Sequence, residues 1–158
     1  AAEEIKKSNP QYNGDLGFKA FRLASSNIKL WSPDRKDLEQ TLLSHQEHLV
    51  EGRTEQDILY ELLIKRGIDL AVPIESRNVS GKEIYSIGYG VLFACLNESI
   101  AQADVENVAQ GILKWYGELS PSSDTHVFFR DSAFSDDIAK TNMAAILEQN
   151  GITHVRSL

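Results

Sequence analysis

The chain has 158 residues, 42% apolar and 25% charged, with a net charge of −7. Those values fit one globular domain that can bury a core without a metal or a disulfide staple. The lone cysteine, Cys95, lies in an apolar run; it rules out an internal disulfide and fits a reducing compartment. No apolar run approaches the roughly 20 residues that a membrane span needs, so a cytoplasmic protein without a secretory leader is expected.

The charge is uneven. Residues 1–36 carry seven Lys/Arg against four Asp/Glu, net +3, while residues 37–158 carry nine against nineteen, net −10. An acidic body binds nucleic acid poorly, because phosphate contacts supply most non-specific affinity. The basic front is either a polyanion contact or an ordinary solvated surface.

Ala1–Lys7 reads as the end of a helix whose body lies upstream, so the chain is expected to be a piece of something larger. Ser8–Gly17, with Asn-Pro and Asn-Gly, is a linker. Residues 1–17 are thus tail and linker, and 18–158 form one domain. Phe18–Leu23 is an edge-strand candidate broken by Ser25-Ser26-Asn27, and Ile28–Trp31 is a second extended piece stopped at Ser32-Pro33. Together they make 18–36 a basic extended segment.

A helical pair is expected over 37–67. The first helix, Asp37 to about Leu49, carries His45 and His48. The second is clearer. Thr54 caps it with Asp57 at the reciprocal position, Ile58, Leu59, Leu62 and Leu63 form its stripe, Lys65 and Arg66 fill the last turn, and Gly67 ends it. Ile68–Val72 is a short apolar segment halted by Pro73, and Ile74–Glu83 reads as polar loop.

From residue 84 to 158 the order is ββαβαβ. Ile84–Ile87 and Val91–Leu96 form a hairpin across Gly88-Tyr89-Gly90. The second strand is apolar on both faces, as a central strand should be. The next helix is capped by Asn97 or Ser99, carries a stripe at 101, 105, 108, 109, 112 and 113, and decays at Trp115-Tyr116-Gly117. Strand His126–Arg130 turns at Asp131-Ser132 into a helix capped by Ser135 or Asp136. Positions 139, 143, 146 and 147 of that helix face the sheet, Asn150-Gly151 closes it, and Ile152–Ser157 is the last strand. Right-handed crossovers link the last three strands. The expected fold class is α/β, a three-layer domain with a small, mostly parallel mixed sheet, preceded by the helical pair and the basic extended segment.

Chemistry is sparse. Gly88-Tyr89-Gly90 leads into a strand, so it reads as a turn and not as a nucleotide or S-adenosylmethionine loop. His45 and His48 lack an H-E-x-x-H context, and Cys95 has no metal-like companion. His126 and His154 read as ordinary strand residues. Asp131-Ser132 lies at the C-terminal end of a central strand, where open parallel sheets bind ligands. Two readings stand there. Either Asp131 braces the turn while Lys140 pairs with Asp136 or Asp137, or Asp131, Ser132, Lys140 and Asn142 form a contact for phosphate or protein. The acids at 131, 136 and 137 argue against phosphate, and no Ser-His-Asp or Cys-His pattern makes Ser132 a nucleophile. Lys19, Arg22, Lys29 and Trp31, interleaved with Phe18 and Phe21, suit either DNA contact or packing against the body or a partner.

Three stretches are familiar together: Asp15–Leu23 with Ser25-Ser26-Asn27, Leu59-Tyr60-Glu61-Leu62-Leu63 through Pro73-Ile74-Glu75, and Arg130–Phe134 with Lys140-Thr141-Asn142. They resemble the C-terminal region of the modification subunit of type III restriction-modification systems, an adenine-N6 DNA methyltransferase. The likeness runs from about residue 15 to the end. It departs from the family at two motifs of the upstream core: the catalytic Asp-Pro-Pro-Tyr and the Phe-x-Gly-x-Gly cofactor loop are both absent. The resemblance therefore implies a non-catalytic domain that supports subunit assembly and DNA recognition, with S-adenosylmethionine bound by the parent and not by this chain. The partners it implies are the methyltransferase core, a second copy in a dimer, the restriction subunit and, through the parent, DNA; no membrane is implied. The descriptors that come with it are methyltransferase, restriction-modification, DNA binding and S-adenosylmethionine use. The alternative is a self-association or protein–protein module without DNA contact.

Overall fold

A computed structural model describes residues 2–11, 17–29 and 49–158. Trp31 and residues 37–48 of the first expected helix, with His45 and His48, lie outside the described residues. The elements in chain order are α1 (Ala2–Ser8), α2 (Glu55–Arg66), β1 (Ile74–Val79), β2 (Lys82–Ile87), β3 (Leu92–Cys95), α3 (Gln102–Leu119), β4 (His126–Phe129), a 3-10 turn (Asp131–Ala133), α4 (Asp137–Gln149) and β5 (His154–Ser157). No helix among the described residues is long and apolar enough to cross a membrane.

The strands lie in the order β1-β2-β3-β4-β5. β1–β2 and β2–β3 are antiparallel, and β3–β4 and β4–β5 are parallel. Period-2 alternation assigns the side chains to two cores. Ile84, Phe93, Cys95, Val127 and Phe129 pack with Val108, Ile112 and Trp115 of α3 and Met143 and Leu147 of α4. Ile87, Leu92, Ala94, Leu96 and Phe128 pack with Ile58, Leu59, Leu62 and Leu63 of α2. The result is an α/β domain, a small mixed sheet flanked by helices.

Local chemistry accounts for the element ends. At α2 both halves of the capping box form, with the Asp57 N–H donating to Thr54 Oγ1 and the Thr54 N–H to Asp57 Oδ2. Gly67, at φ 67°, closes the helix in the left-handed region. Asp136, not Ser135, caps α4 by accepting from the Ala139 N–H at 2.7 Å. Neither Asn97 nor Ser99 caps α3: its N-cap is Ala101, which makes no side-chain cap. Asn97 instead donates to Glu55 Oε1 at 2.7 Å, tying the end of β3 to α2.

Several expectations change. Ile74–Val79 is a full strand and not a loop, so the sheet begins ten residues earlier, at 74, and its antiparallel and parallel pairings are equal in number. β1 escapes pattern reading because it is a surface edge whose middle four residues are exposed. Ser80 and Gly81, both at positive φ, make the two-residue turn into β2. Phe18–Leu23 has no regular secondary structure and forms no strand. α3 does not decay at Trp115 but runs to Leu119, with Trp115 buried edge-on to Phe93 at 5.6 Å.

The contact of α3 with β1 is unusually close. A Cβ on Gly111 would lie 2.7 Å from Val79 Cγ1, below any ordinary contact. Arg77 of β1 stacks on Trp115 at 4.3 Å and pairs with Glu118 at 2.6 Å, which fastens the same seam. Gly111→Ala is expected to destabilise the chain by about 1–2 kcal/mol, overpacking outweighing the gain in helix propensity. Adding Val79→Ala should restore part of that loss in urea titrations.

Candidate functional site

The described part of the basic segment, residues 18–29, is largely exposed, yet it is strapped across α2 at a few points. Lys19 Nζ donates to the carbonyls of Leu70 and Val72 at 2.9 and 3.0 Å. Phe21 meets Tyr60 edge-on, with ring centroids 4.8 Å apart. Glu61 then takes two donors from the strap at 2.6 Å each, Ser26 Oγ and the Asn27 N–H, and pairs with Lys65 at 2.9 Å. Asn27 is a buried polar residue, 6% exposed. Its Nδ2 donates to the Asp57 carbonyl, and its own carbonyl accepts from Val50 N–H, each within 2.9 Å. Lys19 is thus a tie to the body. Arg22 is exposed and Lys29 half-buried.

The second assembly is the corner after β4. Arg130 is buried; its Nε donates to Ser132 Oγ at 3.1 Å and its guanidinium lies 3.6 Å from Glu98. Lys140 pairs with Asp131, and not with Asp136 or Asp137 as expected. The structure therefore brings Asp131, Ser132 and Lys140 together as a turn brace, while Asn142 is exposed on α4. Strand order also bears on this edge. The order runs β1 to β5 without reversal, so the parallel strands offer no switch point, the usual place for a crevice.

Lys29 and Arg130, far apart in sequence, line one cleft of about 320 Å³ with Glu51, Arg53 and Glu98. Three cations there face two acids. At the other end of β4, His126 and His154 are cross-strand partners and stack at 4.6 Å. Burial and the neighbouring His154 lower the pKa of His126.

These groups bind one another more than they prepare chemistry. Burial pushes the Cys95 thiol up to about 12, so it stays protonated and inert. Burial and the Glu55 carboxylate push Tyr85 up to about 12, so its hydroxyl remains a donor, to Glu55 at 3.1 Å. Among the described residues no group of three His, Cys, Asp or Glu is placed to hold a metal. Gly88 and Gly90, both at positive φ, sit in the turn between β2 and β3.

Compared with family models, curated proteins and solved structures, the chain matches none. The descriptors methyltransferase, restriction-modification, DNA binding and S-adenosylmethionine use are corrected to what the described residues of this chain carry, which is no catalytic motif, metal site or cofactor loop. Its described residues hold no metal-capable cluster, and its one G-x-G is a strand–strand turn with no helix N-terminus to meet a cofactor.

Sequence reasoning missed Asn27, Glu61 and Arg130. Ser25-Ser26-Asn27 looked like a strand breaker, and nothing local names a partner 34 residues away. The available signal was Glu61 itself, an acid placed directly beside the apolar stripe of α2.

Burial pushes the Glu61 carboxyl up, but its Ser26, Lys65 and Asn27 donors outweigh that and hold it below its ordinary 4.5. A depressed carboxylate adds stability that is present above its unfolded pKa and lost as pH falls through the folded one. Strap protection from proteolysis is therefore expected to hold above pH 4.5 and to fade below it. Glu61→Gln, which sets an amide against a donor, should cost about 1–3 kcal/mol and admit nicking within residues 17–29 at neutral pH. Asp131→Asn should cost less than about 1 kcal/mol in urea titrations, because its ion pair is partly exposed on both sides.

Proposed function

We propose that this chain is a non-catalytic assembly domain, the C-terminal part of a type III modification subunit. The observation that carries this reading is the way the first two resembling stretches meet while the third braces a corner of its own. Ser26 and Asn27 of the first are held by Glu61 of the second. Lys19 of the first ties to Leu70 and Val72, next to Pro73-Ile74-Glu75. In the third, Arg130, Asp131, Ser132 and Lys140 brace one corner. Residues in all three stretches serve to hold the strap and the corner in place. Such a strap suits a domain that must keep a fixed position against what precedes it. The catalytic core and the restriction subunit are the proposed partners, and a second copy is the third.

A second reading, association without any DNA contact, is favoured by the −10 charge of residues 37–158. Co-expression with a type III modification core truncated before this region is expected to yield a stable complex, seen as co-elution in size-exclusion chromatography. Failure to bind either the core or the restriction subunit would overturn the proposal. Duplex titration at several salt concentrations separates the two readings: steeply salt-dependent binding marks phosphate contact, and no binding marks pure protein assembly.

A further inference from the structure

The outer side of β5 is an open sheet edge among the described residues. β5 is last in the sheet order, and among the described residues nothing pairs with its far side. The Leu158 N–H donates to the Phe129 carbonyl at 2.8 Å, and its carbonyl accepts from the Asp131 N–H at 3.1 Å. Both backbone groups of residue 158 thus turn toward β4. Alternation along a parallel strand turns those of Ser157 and Val155 outward.

The two faces beside that edge differ. On the α4 side a cavity of about 350 Å³ opens between helix and strand, lined by Phe129, Phe134, Ala144 and Val155 together with Arg156 and with Lys140, which is already paired with Asp131. On the α2 side the edge is cationic. Arg156 lies in register with Phe128, and Arg66 stacks over the same Phe128 ring at 4.6 Å. Both arginines act on His126, where Asp124 opposes them.

A segment added to β5 must send alternate side chains to these two faces, one mostly apolar and one positive. We propose that β5 binds an extended partner segment of alternating apolar and acidic residues by strand addition. The β5 of a second copy fits badly, because antiparallel pairing would set the Arg156 and Arg66 side chains of both copies on one face, with Arg156 opposite either Arg156 or His154. A nucleic acid would leave the apolar cavity unfilled. The site goes beyond the kinship proposed above and does not depend on it, since it uses only β5, α2 and α4.

Random peptides displayed on phage can be panned against the whole chain, and the selected sequences synthesised and titrated by fluorescence anisotropy with amide shifts read by NMR. The selected peptides should alternate apolar and acidic residues and shift Val155–Ser157 most. Arg156→Glu should weaken them by roughly tenfold or more, about 1.4 kcal/mol. Ser157→Pro removes one outward N–H, leaves the β4–β5 ladder in place, and should abolish binding. If that variant fails to fold, the same peptides N-methylated at alternate amides must fail on the unaltered chain. No enrichment, enrichment of basic peptides, shifts confined to another surface, or indifference to Arg156→Glu would each overturn the proposal. So would a dimer that depends on β5, or a DNA duplex that shifts the same amides.

Discussion

β3 must be covered on both faces, and most of the architecture answers that constraint. Leu92 through Leu96 are at most 2% exposed. Each large side chain so buried contributes about 1.5–3 kcal/mol, but only if helices close both sides. α3 and α4 cover one face as the crossovers of the parallel strands. α2 covers the other, and it arrives from upstream of the sheet with no crossover to fix its place. Its position is set instead by Asn97 and Tyr85, both hydrogen-bonded to Glu55, and by the strap that crosses it.

Polar side chains act here as ties between distant parts of the chain. Lys19 closes two carbonyls near β1, Glu61 grips the strap, Arg77 lies on Trp115, and Arg130 spans from Ser132 to Glu98. A charged group satisfied in this way is held to one geometry.

What sequence could reveal followed from the range of each interaction. Thr54 with Asp57, Gly67, and Asp136 ahead of Ala139 are decided within one helical turn, and they are legible. β3 is legible because burial on two faces leaves an unbroken apolar run. β1 is not, because an edge strand exposed through Glu75, Ser76, Arg77 and Asn78 has no alternation to show; only the Ser80-Gly81 turn marks it. The strap is not, because Asn27 finds Glu61 through the fold. Asp131 and Ser132 were recognisable as a strand-end group, yet their brace depends on Arg130 reaching Ser132 and Lys140 reaching Asp131 around a turn that sequence spacing leaves open.

The strand order has a consequence for how the molecule assembles. Because β1 to β5 lie side by side in the order of synthesis, each strand docks on its immediate predecessor, and the sheet can grow from one end. Pairing of this kind keeps contact order low and favours fast folding. Its vulnerable moment comes after β3 has paired with β2 and before β4 arrives, with the 18-residue α3 still to be traversed. During that interval an apolar strand presents a bare edge, the kind of surface on which nascent chains aggregate. The speed with which α3 forms and carries β4 back therefore governs how much of the protein reaches its folded state.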